Sequence, residues 1–367
     1  MALLLLRTID LKKPMGTNLK YILLFLLILF SGCGRDGPLL TDMPVETISA
    51  VLDKEIPDLM QKRHIEGLSL VIIRKGKSSI SKSFGYADVK SNRQVDEQTV
   101  FRAASLGKPV FAYILVSLAR QGIIDLDTPL YEYSAKEVVK DDTRSKAITA
   151  RMVLKHTSGL PNLGGKNKEI EFLFDPDTGF EYSGYAYLYL QEVIETVTGR
   201  NLNKLASELV FRPLRMTESG YVWQEKYRGR MANSYGASGE VFPSREEPVI
   251  GHSAWSLFTT IADYARFVLH MIETSNTQHS IASVMLSPQV DVADGVRWGL
   301  GWGLQETTPN YSFWHWGSMA GFRHYVVGYP KEKTAVIVFT NNSRAFKMVD
   351  EVMAMAIGGG YPSYEWF

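Results

Sequence analysis

The chain has 367 residues, of which 45% are hydrophobic and 22% are charged, so it can bury a sizeable core in roughly two domains. Its 40 basic residues nearly balance its 39 acidic ones, and no basic run alternates with aromatic residues, which argues against nucleic acid as a partner. Cys33 is the only cysteine, so no internal disulfide and no site with several thiolate ligands can form.

The N-terminal part has the pattern of an export signal. In residues 15–33, Lys20 supplies a positive flank, and residues 21–30 form an apolar stretch of about ten residues. That stretch is short for a membrane span, which needs about 20 residues. We therefore read the segment as a secretory signal.

Two small residues precede Cys33, so the segment resembles the signal of a bacterial lipoprotein. The resemblance implies a signal peptide over residues 1–32, with Met15 as the true start. Cys33 would then be the lipidated first residue of an exported protein, anchored to the membrane in the periplasm or at the cell surface. The alternative is an uncleaved anchor that ends in an incidental cysteine.

After a linker over residues 33–44, apolar residues at helical spacing predict a helix over 45–63. Two strands are predicted next, at 67–74 and 77–87, joined by a hairpin turn at Lys75-Gly76. Further helices are expected after Ser105 and at 149–155, 185–198, 202–211, 261–272 and 345–357, and further strands at 298–305, 311–316, 322–329 and 334–341.

Strands near both ends with helices between them predict an α/β (α+β) fold. An antiparallel sheet would be built from both ends of the chain, in residues 45–104 and 251–367, and flanked by helices. A mainly helical region over 105–250 would be inserted in it. Clefts form at such seams, and Ser105 lies at this one.

Ser105 is followed three residues later by Lys108. If a helix starts at the serine, the hydroxyl and the amine lie on one face, a turn apart. A serine hydroxyl needs a base to attack at neutral pH, and a lysine serves as that base once burial has lowered its pKa. The alternative without catalysis is that Ser105 caps the helix and Lys108 lies in solvent.

A second copy of the spacing occurs at Ser79 and Lys82, inside a segment of strand type. Side chains three residues apart point to opposite faces of a strand, so this pair cannot work together. Spacing alone is therefore a weak signal, and the surrounding segments must decide between the two readings.

Three further segments follow Ser105 in order: His156-Thr-Ser-Gly-Leu160, Tyr182-Ser-Gly184 and His315-Trp316-Gly317. With Gly85-Tyr-Ala-Asp88 and Thr260-Ile-Ala-Asp263, they resemble the serine β-lactamase and penicillin-binding protein family, in its class C-like branch of esterases and D-aminopeptidases. The likeness runs from about residue 45 to the C-terminus. It implies one β-lactamase/transpeptidase-like domain over residues 45–367.

The resemblance also implies roles for single residues. Ser105 would be the nucleophile, Lys108 its base and Tyr182 a proton relay that the lysine cation makes useful at pH 7. The backbone N–H groups of Ser105 and Ser318 would form the oxyanion hole. His156 would be architectural. No metal motif and no cofactor motif is present.

Substrate contacts are implied for Gly184, His315, Trp316 and Gly317, where the glycine at 317 would let a substrate approach the backbone. Two positions depart from the family pattern. Gly184 replaces an asparagine that holds the acylamino group, and His315 replaces the lysine preferred in β-lactamases of this branch. Both changes favour a less anionic substrate. Packing of the rings of Tyr182, His315 and Trp316 is the simpler alternative for each.

The predicted function is therefore a serine hydrolase that forms an acyl-enzyme on Ser105. It would act as an esterase or a D-amino-acid peptidase or amidase on small or cell-wall-related substrates. An efficient β-lactamase is one alternative. A catalytically weak protein that binds cell-wall fragments is another, motivated by the missing asparagine at Gly184.

Overall fold

A computed structural model of the chain describes residues 38–162, 169–242, 247–307 and 310–366. The predicted signal peptide and the lipidation site at Cys33 lie outside these residues. Within the described ranges, no helix has both the length and the apolar character that crossing a membrane requires.

Nine of the described strands form one antiparallel sheet. They are β1 Gly67–Arg74, β2 Lys77–Asp88, β3 Arg93–Gln94, β6 Val290–Ala293, β7 Val296–Trp298, β8 Gly303–Thr307, β9 Asn310–Met319, β10 Phe322–Tyr329 and β11 Thr334–Thr340. Their order is β3-β2-β1-β11-β10-β9-β8-β7-β6, so strands from the two ends of the chain meet where β1 pairs with β11. The predicted origin of the sheet is confirmed. A separate pair joins β4 Phe101–Ala104 to β5 Leu257–Thr259.

The helices lie on both sides of this sheet. They are α1 Val45–Arg63, α2 Gly107–Arg120, α3 Leu130–Ser134, α4 Ala150–Leu154, α5 Gly184–Thr198, α6 Leu202–Ala206, α7 Ile261–Thr274, α8 Ile281–Met285, α9 Phe346–Ala356 and α10 Ser363–Trp366. Short 3₁₀ turns span Thr143–Ala147 and Glu225–Tyr227, and a π-turn over Ser207–Phe211 extends α6.

Strand β1 is buried along its whole length because both faces of the sheet are covered. Val71 and Ile73 pack with α2 and α7, whereas Leu70 and Ile72 pack with α1 and α9. This alternation follows from the two-residue period of a strand. The chain therefore forms two cores, one on each side of a shared sheet.

Two sequence predictions differ from the structure. Helix α2 begins at Gly107, so Ser105 lies in the turn before it. The strand predicted over 298–305 is interrupted between β7 and β8. A Cβ on Gly301, whose φ is +79°, would lie 2.4 Å from the Cβ of Ala112 in α2, so this link passes too close to the helix for a continuous strand of larger residues.

Candidate active site

Ser105 occupies a turn between β4 and α2. Ala104, directly before it, has a φ of +52°, a conformation that costs a non-glycine residue free energy and persists only where the surroundings fix it. Two buried phenols fix this turn: Tyr221 donates to the carbonyl of Gly107 at 2.6 Å, and Tyr264 to that of Leu106 at 3.0 Å. The strained turn is thus held from behind, while the Ser105 side chain stays partly exposed.

Lys108 lies in the first turn of α2, and only 2% of it is exposed. Its Nζ is 3.2 Å from the Ser105 Oγ and 2.9 Å from the carbonyl oxygen of Ala254. Burial lowers the pKa of Lys108 from 10.5 to about 7, because a charged amine is poorly solvated there. A large share of the amine is therefore neutral at pH 7 and can accept the serine proton.

Tyr182 precedes α5 by two residues and faces the same site. The Lys108 Nζ lies 4.7 Å from the centre of its ring. Burial raises the pKa of Tyr182 above its usual value of 10, and the nearby Ser105 side chain offsets only part of that rise. We predicted that the lysine cation makes this phenol a base at pH 7, and the direction of the shift favours the protonated phenol in the resting site. A protonated Tyr182 is instead a proton donor beside a neutral amine.

Two histidines flank Tyr182 without carrying charge. The His156 ring packs 4.5 Å from the Tyr182 ring, and its Nδ1 accepts the backbone N–H of Ser183 at 3.0 Å. His315 lies 6.0 Å from the same ring, centre to centre, and its Nδ1 is 2.7 Å from the carbonyl oxygen of Trp316. Burial is the main reason that the pKa of His156 lies well below 6.5 and that of His315 at about 3, and the neighbouring Lys108 lowers both further. Both imidazoles are neutral at pH 7.

The predicted segment His315-Trp316-Gly317 lies on β9. A Cβ on Gly317 would stand 2.4 Å from the carbonyl oxygen of Ala103, so the strand β9 needs glycine here to pack against β4. We predicted that this glycine lets a substrate approach the backbone, whereas its close neighbour is the protein's own backbone at Ala103. Ser318, which follows Gly317 on β9, is exposed.

The predicted substrate-binding residues fall into two groups. Trp316 is half-buried and packs 4.7 Å from the Tyr182 ring. His315 is fully buried, at 0% exposed, so its side chain cannot contact a substrate in this arrangement. Gly184 is also buried, and its N–H donates to the Oδ1 of Asn162 at 3.0 Å.

A cavity of about 640 Å³ lies beside the serine turn. Its walls include Arg102, which precedes the turn, and Met319, which follows Ser318. Val249 and Ile250 also line it and are 87% and 67% exposed, so the cavity combines apolar surface with the charged side chains of Arg102 and Glu247. Among the described residues, no three His, Cys, Asp or Glu side chains lie together as a metal site would require.

The residues that sequence reasoning missed act on the site from a distance along the chain. Tyr221 and Tyr264 reach the first turn of α2 across 114 and 158 positions, and Ala254 reaches Lys108 across 146. Spacing carries no signal for such contacts. Asn162 was also missed, although it directly follows the predicted His156 segment.

The chain is similar to several known proteins over most of its length. It is 23% identical to Protein flp of Staphylococcus aureus (strain N315) over 323 residues, which cover 79% of this chain and 62% of that protein. It is 26% identical to Esterase EstB of Burkholderia gladioli over 220 residues, which cover 52% of this chain and 56% of that protein. The chain thus spans less than two thirds of the curated relatives named here.

Solved structures share the fold. A class C beta-lactamase has a TM-score of 0.74 at 20% identity, covering 84% of this chain and 95% of that one. The octameric penicillin-binding protein homologue from Pyrococcus abyssi has a TM-score of 0.73 at 21% identity, covering 85% and 78%. The sequence profile of the family described as Beta-lactamase matches residues 52–357. The chain therefore belongs to the beta-lactamase family, with the fold that its serine β-lactamase and penicillin-binding protein members share.

Proposed function

We propose that this protein is a serine hydrolase that forms an acyl-enzyme on Ser105 and acts as an esterase on neutral substrates. One observation carries the proposal: the buried Nζ of Lys108 lies 3.2 Å from the Ser105 Oγ, and burial lowers the pKa of this lysine to about 7. That arrangement activates a nucleophile without any further base.

The acylation step follows from these positions. The neutral amine of Lys108 takes the proton of Ser105 as its Oγ bonds to the carbonyl carbon of the ester. Backbone N–H groups of Ser105 and Ser318 would stabilise the oxygen that becomes negative. Tyr182 then gives its proton to the departing alcohol and receives the one held by Lys108, so the ester C–O bond breaks and an acyl-enzyme remains.

Deacylation repeats the sequence with water. Water attacks the acyl carbonyl and passes its proton toward Tyr182 and Lys108, and Ser105 leaves with a proton returned to its Oγ. The sum is an ester plus water giving an acid plus an alcohol. Every proton taken up by the protein in one half is released in the other.

The substrate class follows from charge and from the cleft wall. His315 is buried and neutral, with a pKa lowered to about 3, so the site offers no cation there to a substrate carboxylate. The exposed Val249 and Ile250 instead favour an apolar acyl or alcohol group. The similarity to a protein named Esterase EstB supports an ester rather than an amide. A D-amino-acid peptidase or amidase acting on cell-wall fragments is the second candidate, supported by the fold shared with a beta-lactamase/D-alanine carboxypeptidase from Pseudomonas syringae, 17% identical at a TM-score of 0.73.

Covalent labelling tests the proposal. The purified protein is treated with a fluorophosphonate and weighed intact, beside Ser105→Ala and a matched control, Ser79→Ala, which changes the second Ser-x-x-Lys copy in β2. We expect one adduct on the wild type and on the control, and none on Ser105→Ala. Turnover is then compared for p-nitrophenyl acetate, D-alanine p-nitroanilide and nitrocefin, and the ester should be hydrolysed fastest.

The outcomes separate the hypotheses. A wild type that forms no adduct, under conditions that label a known serine hydrolase, would refute catalysis and support the protein that binds cell-wall fragments. An adduct with faster hydrolysis of the D-alanine amide would support the peptidase. Nitrocefin hydrolysis at a kcat/KM of roughly 10⁴ to 10⁸ M⁻¹s⁻¹ would support a β-lactamase.

A further inference from the structure

The position of Tyr182 is fixed by packing. Its hydroxyl is buried and has no hydrogen-bond partner among the described residues. Two rings lie close to its own: the His156 imidazole at 4.5 Å with planes 33° apart, and the Trp316 indole at 4.7 Å with planes 34° apart. The Ser105 side chain is near enough to lower the pKa of this phenol, so the neighbouring rings and the serine together set where its oxygen lies.

The His156 side of this packing is anchored directly, by the hydrogen bond from the Ser183 N–H. Trp316 differs, because it is half-buried on a strand that faces the cleft. The Trp366 indole packs edge-on against it, with ring centres 5.9 Å apart and planes at 76°. Trp366 stands in α10, the last described helix, 50 positions further along the chain.

Trp366 joins several rings of one aromatic cluster. Besides Trp316 it contacts Phe180, Trp298 and Trp314, all at ring-centre distances of 5.8 to 5.9 Å. The indole nitrogen of Trp298 is buried with no hydrogen bond to any described residue. Shape complementarity among the rings therefore holds this cluster, and removing one ring frees the others to shift.

The helix α10 is itself fastened to the sheet. Ser363 is buried, its hydroxyl lies 2.8 Å from that of Tyr325 on β10, and its N–H donates to the Oε1 of Gln305 on β8 at 3.4 Å. Tyr364 stacks on Tyr325 with ring centres 4.7 Å apart. The two hydrogen bonds of Ser363 set where the Trp366 ring enters the cluster.

We propose that Trp366 is a positioning residue for the reaction: through Trp316 it holds the Tyr182 phenol within proton-transfer range of Ser105. The inference rests on the proposed function, in which Tyr182 relays the proton. The Trp366 ring contacts Trp316, 4.7 Å from the Tyr182 ring, and Trp298, 6.0 Å from it, so its effect on the rate passes through these two indoles. A shift of about 1 Å in a catalytic group costs up to 10²-fold in rate, which sets the size of the effect.

The test compares Trp366→Ala, the conservative Trp366→Phe and a matched control, Tyr364→Ala. The control removes a ring from the same helical turn, but that ring stacks on Tyr325, away from Tyr182. Turnover of p-nitrophenyl acetate is measured against pH and divided by the number of sites that fluorophosphonate labels at its end point. This division removes the effect of unfolded protein.

For Trp366→Ala we expect kcat per labelled site to fall at least tenfold while kcat/KM changes less than twofold, because deacylation needs the phenol and departure of the activated p-nitrophenol does not. The midpoint of the rise of kcat/KM with pH should stay where Lys108 sets it. Trp366→Phe should recover most of the rate, and Tyr364→Ala should lower thermal stability but keep kcat per site. If Trp366→Ala does not fold, Trp366→Leu preserves apolar volume without the ring and carries the same expectation.

Three results would overturn the inference. They are an unchanged kcat per site in Trp366→Ala, an equal loss in Tyr364→Ala, or a failure of Trp366→Phe to recover the rate. In each case the wild type still labels and turns over, so the proposed function survives. A wild type that neither labels nor turns over would refute the proposed function and this inference together.

Discussion

Replacing Lys108 by methionine should abolish activity and raise stability at neutral pH. Lysine 108 has a pKa of about 7 in the fold against 10.5 when exposed, and this difference corresponds to about 5 kcal/mol of lost stability at or below pH 7. Methionine avoids that cost but leaves the Ala254 carbonyl without its donor, which costs about 1–3 kcal/mol. The net expectation is a variant more stable than the wild type by a few kcal/mol at pH 6.

The sign follows from proton binding. Between pH 7 and pH 10 the unfolded lysine holds a proton that the folded one has released, so the wild type gains about 1.4 kcal/mol of stability per pH unit relative to the variant. Urea unfolding at pH 6, 8 and 10 measures this, with Lys204→Met as the control because Lys204 is exposed. The wild-type kcat/KM should rise with a midpoint near pH 7. A stability difference that does not change with pH would show that Lys108 keeps its charge, and the proposed base would be refuted.

Three more substitutions probe other parts of the site. Tyr182→Phe should release one equivalent of p-nitrophenol in a burst and then turn over about 10²- to 10⁴-fold more slowly than the wild type. The burst is expected because p-nitrophenol leaves without a proton, whereas deacylation needs one. A steady-state rate equal to that of the wild type would contradict the proton relay. Gly317→Ala should lower the free energy of unfolding by about 1–3 kcal/mol and reduce kcat, because the added Cβ would stand 2.4 Å from the Ala103 oxygen. A variant with the same urea midpoint as the wild type would show that β9 can move away from β4 at little cost. Val249→Ser should lower kcat/KM for p-nitrophenyl octanoate more than for p-nitrophenyl acetate. Val89 is exposed but outside the cavity, so Val89→Ser should leave the octanoate-to-acetate ratio of kcat/KM unchanged. The same ratio in both variants would show that Val249 does not select the substrate.

Much of the fold was accessible from the sequence because its signals are local. The apolar run of β1, the alternation in β2 and the Lys75-Gly76 turn define a hairpin, and both turn residues have positive φ, at +51° and +71°. The Ser79 and Lys82 pair does lie in a strand, as predicted, and its members are not brought together. Periodicity also located α1 and α7 to within two residues.

The chemistry of the site depends on contacts that periodicity does not encode. Spacing placed Lys108 near Ser105, but the burial that lowers the lysine pKa comes from elements far along the chain, including the segment around Ala254. The same holds for His315, whose position on β9 was predicted but whose complete burial was not. Burial is a property of the assembled cores, so a sequence read without them gives the residue types of a site but not their charge states.

Those charge states are the physical basis for proposing a neutral substrate. Above pH 7 the Lys108 amine is neutral, both His156 and His315 are neutral, and Tyr182 keeps its proton. These four groups therefore carry no charge before reaction, and binding a neutral ester requires no charged group to lose its water. As Ser105 attacks, an ammonium and an oxyanion appear together in a poorly solvated pocket, where their attraction is stronger than in water. Because that attraction exists in the transition state and not in the ground state, it lowers the barrier without tightening substrate binding. A permanent cation at position 315 would attract anionic substrates and would oppose protonation of Lys108, so the neutral histidine is consistent with the proposed neutral substrate and leaves Lys108 a stronger base.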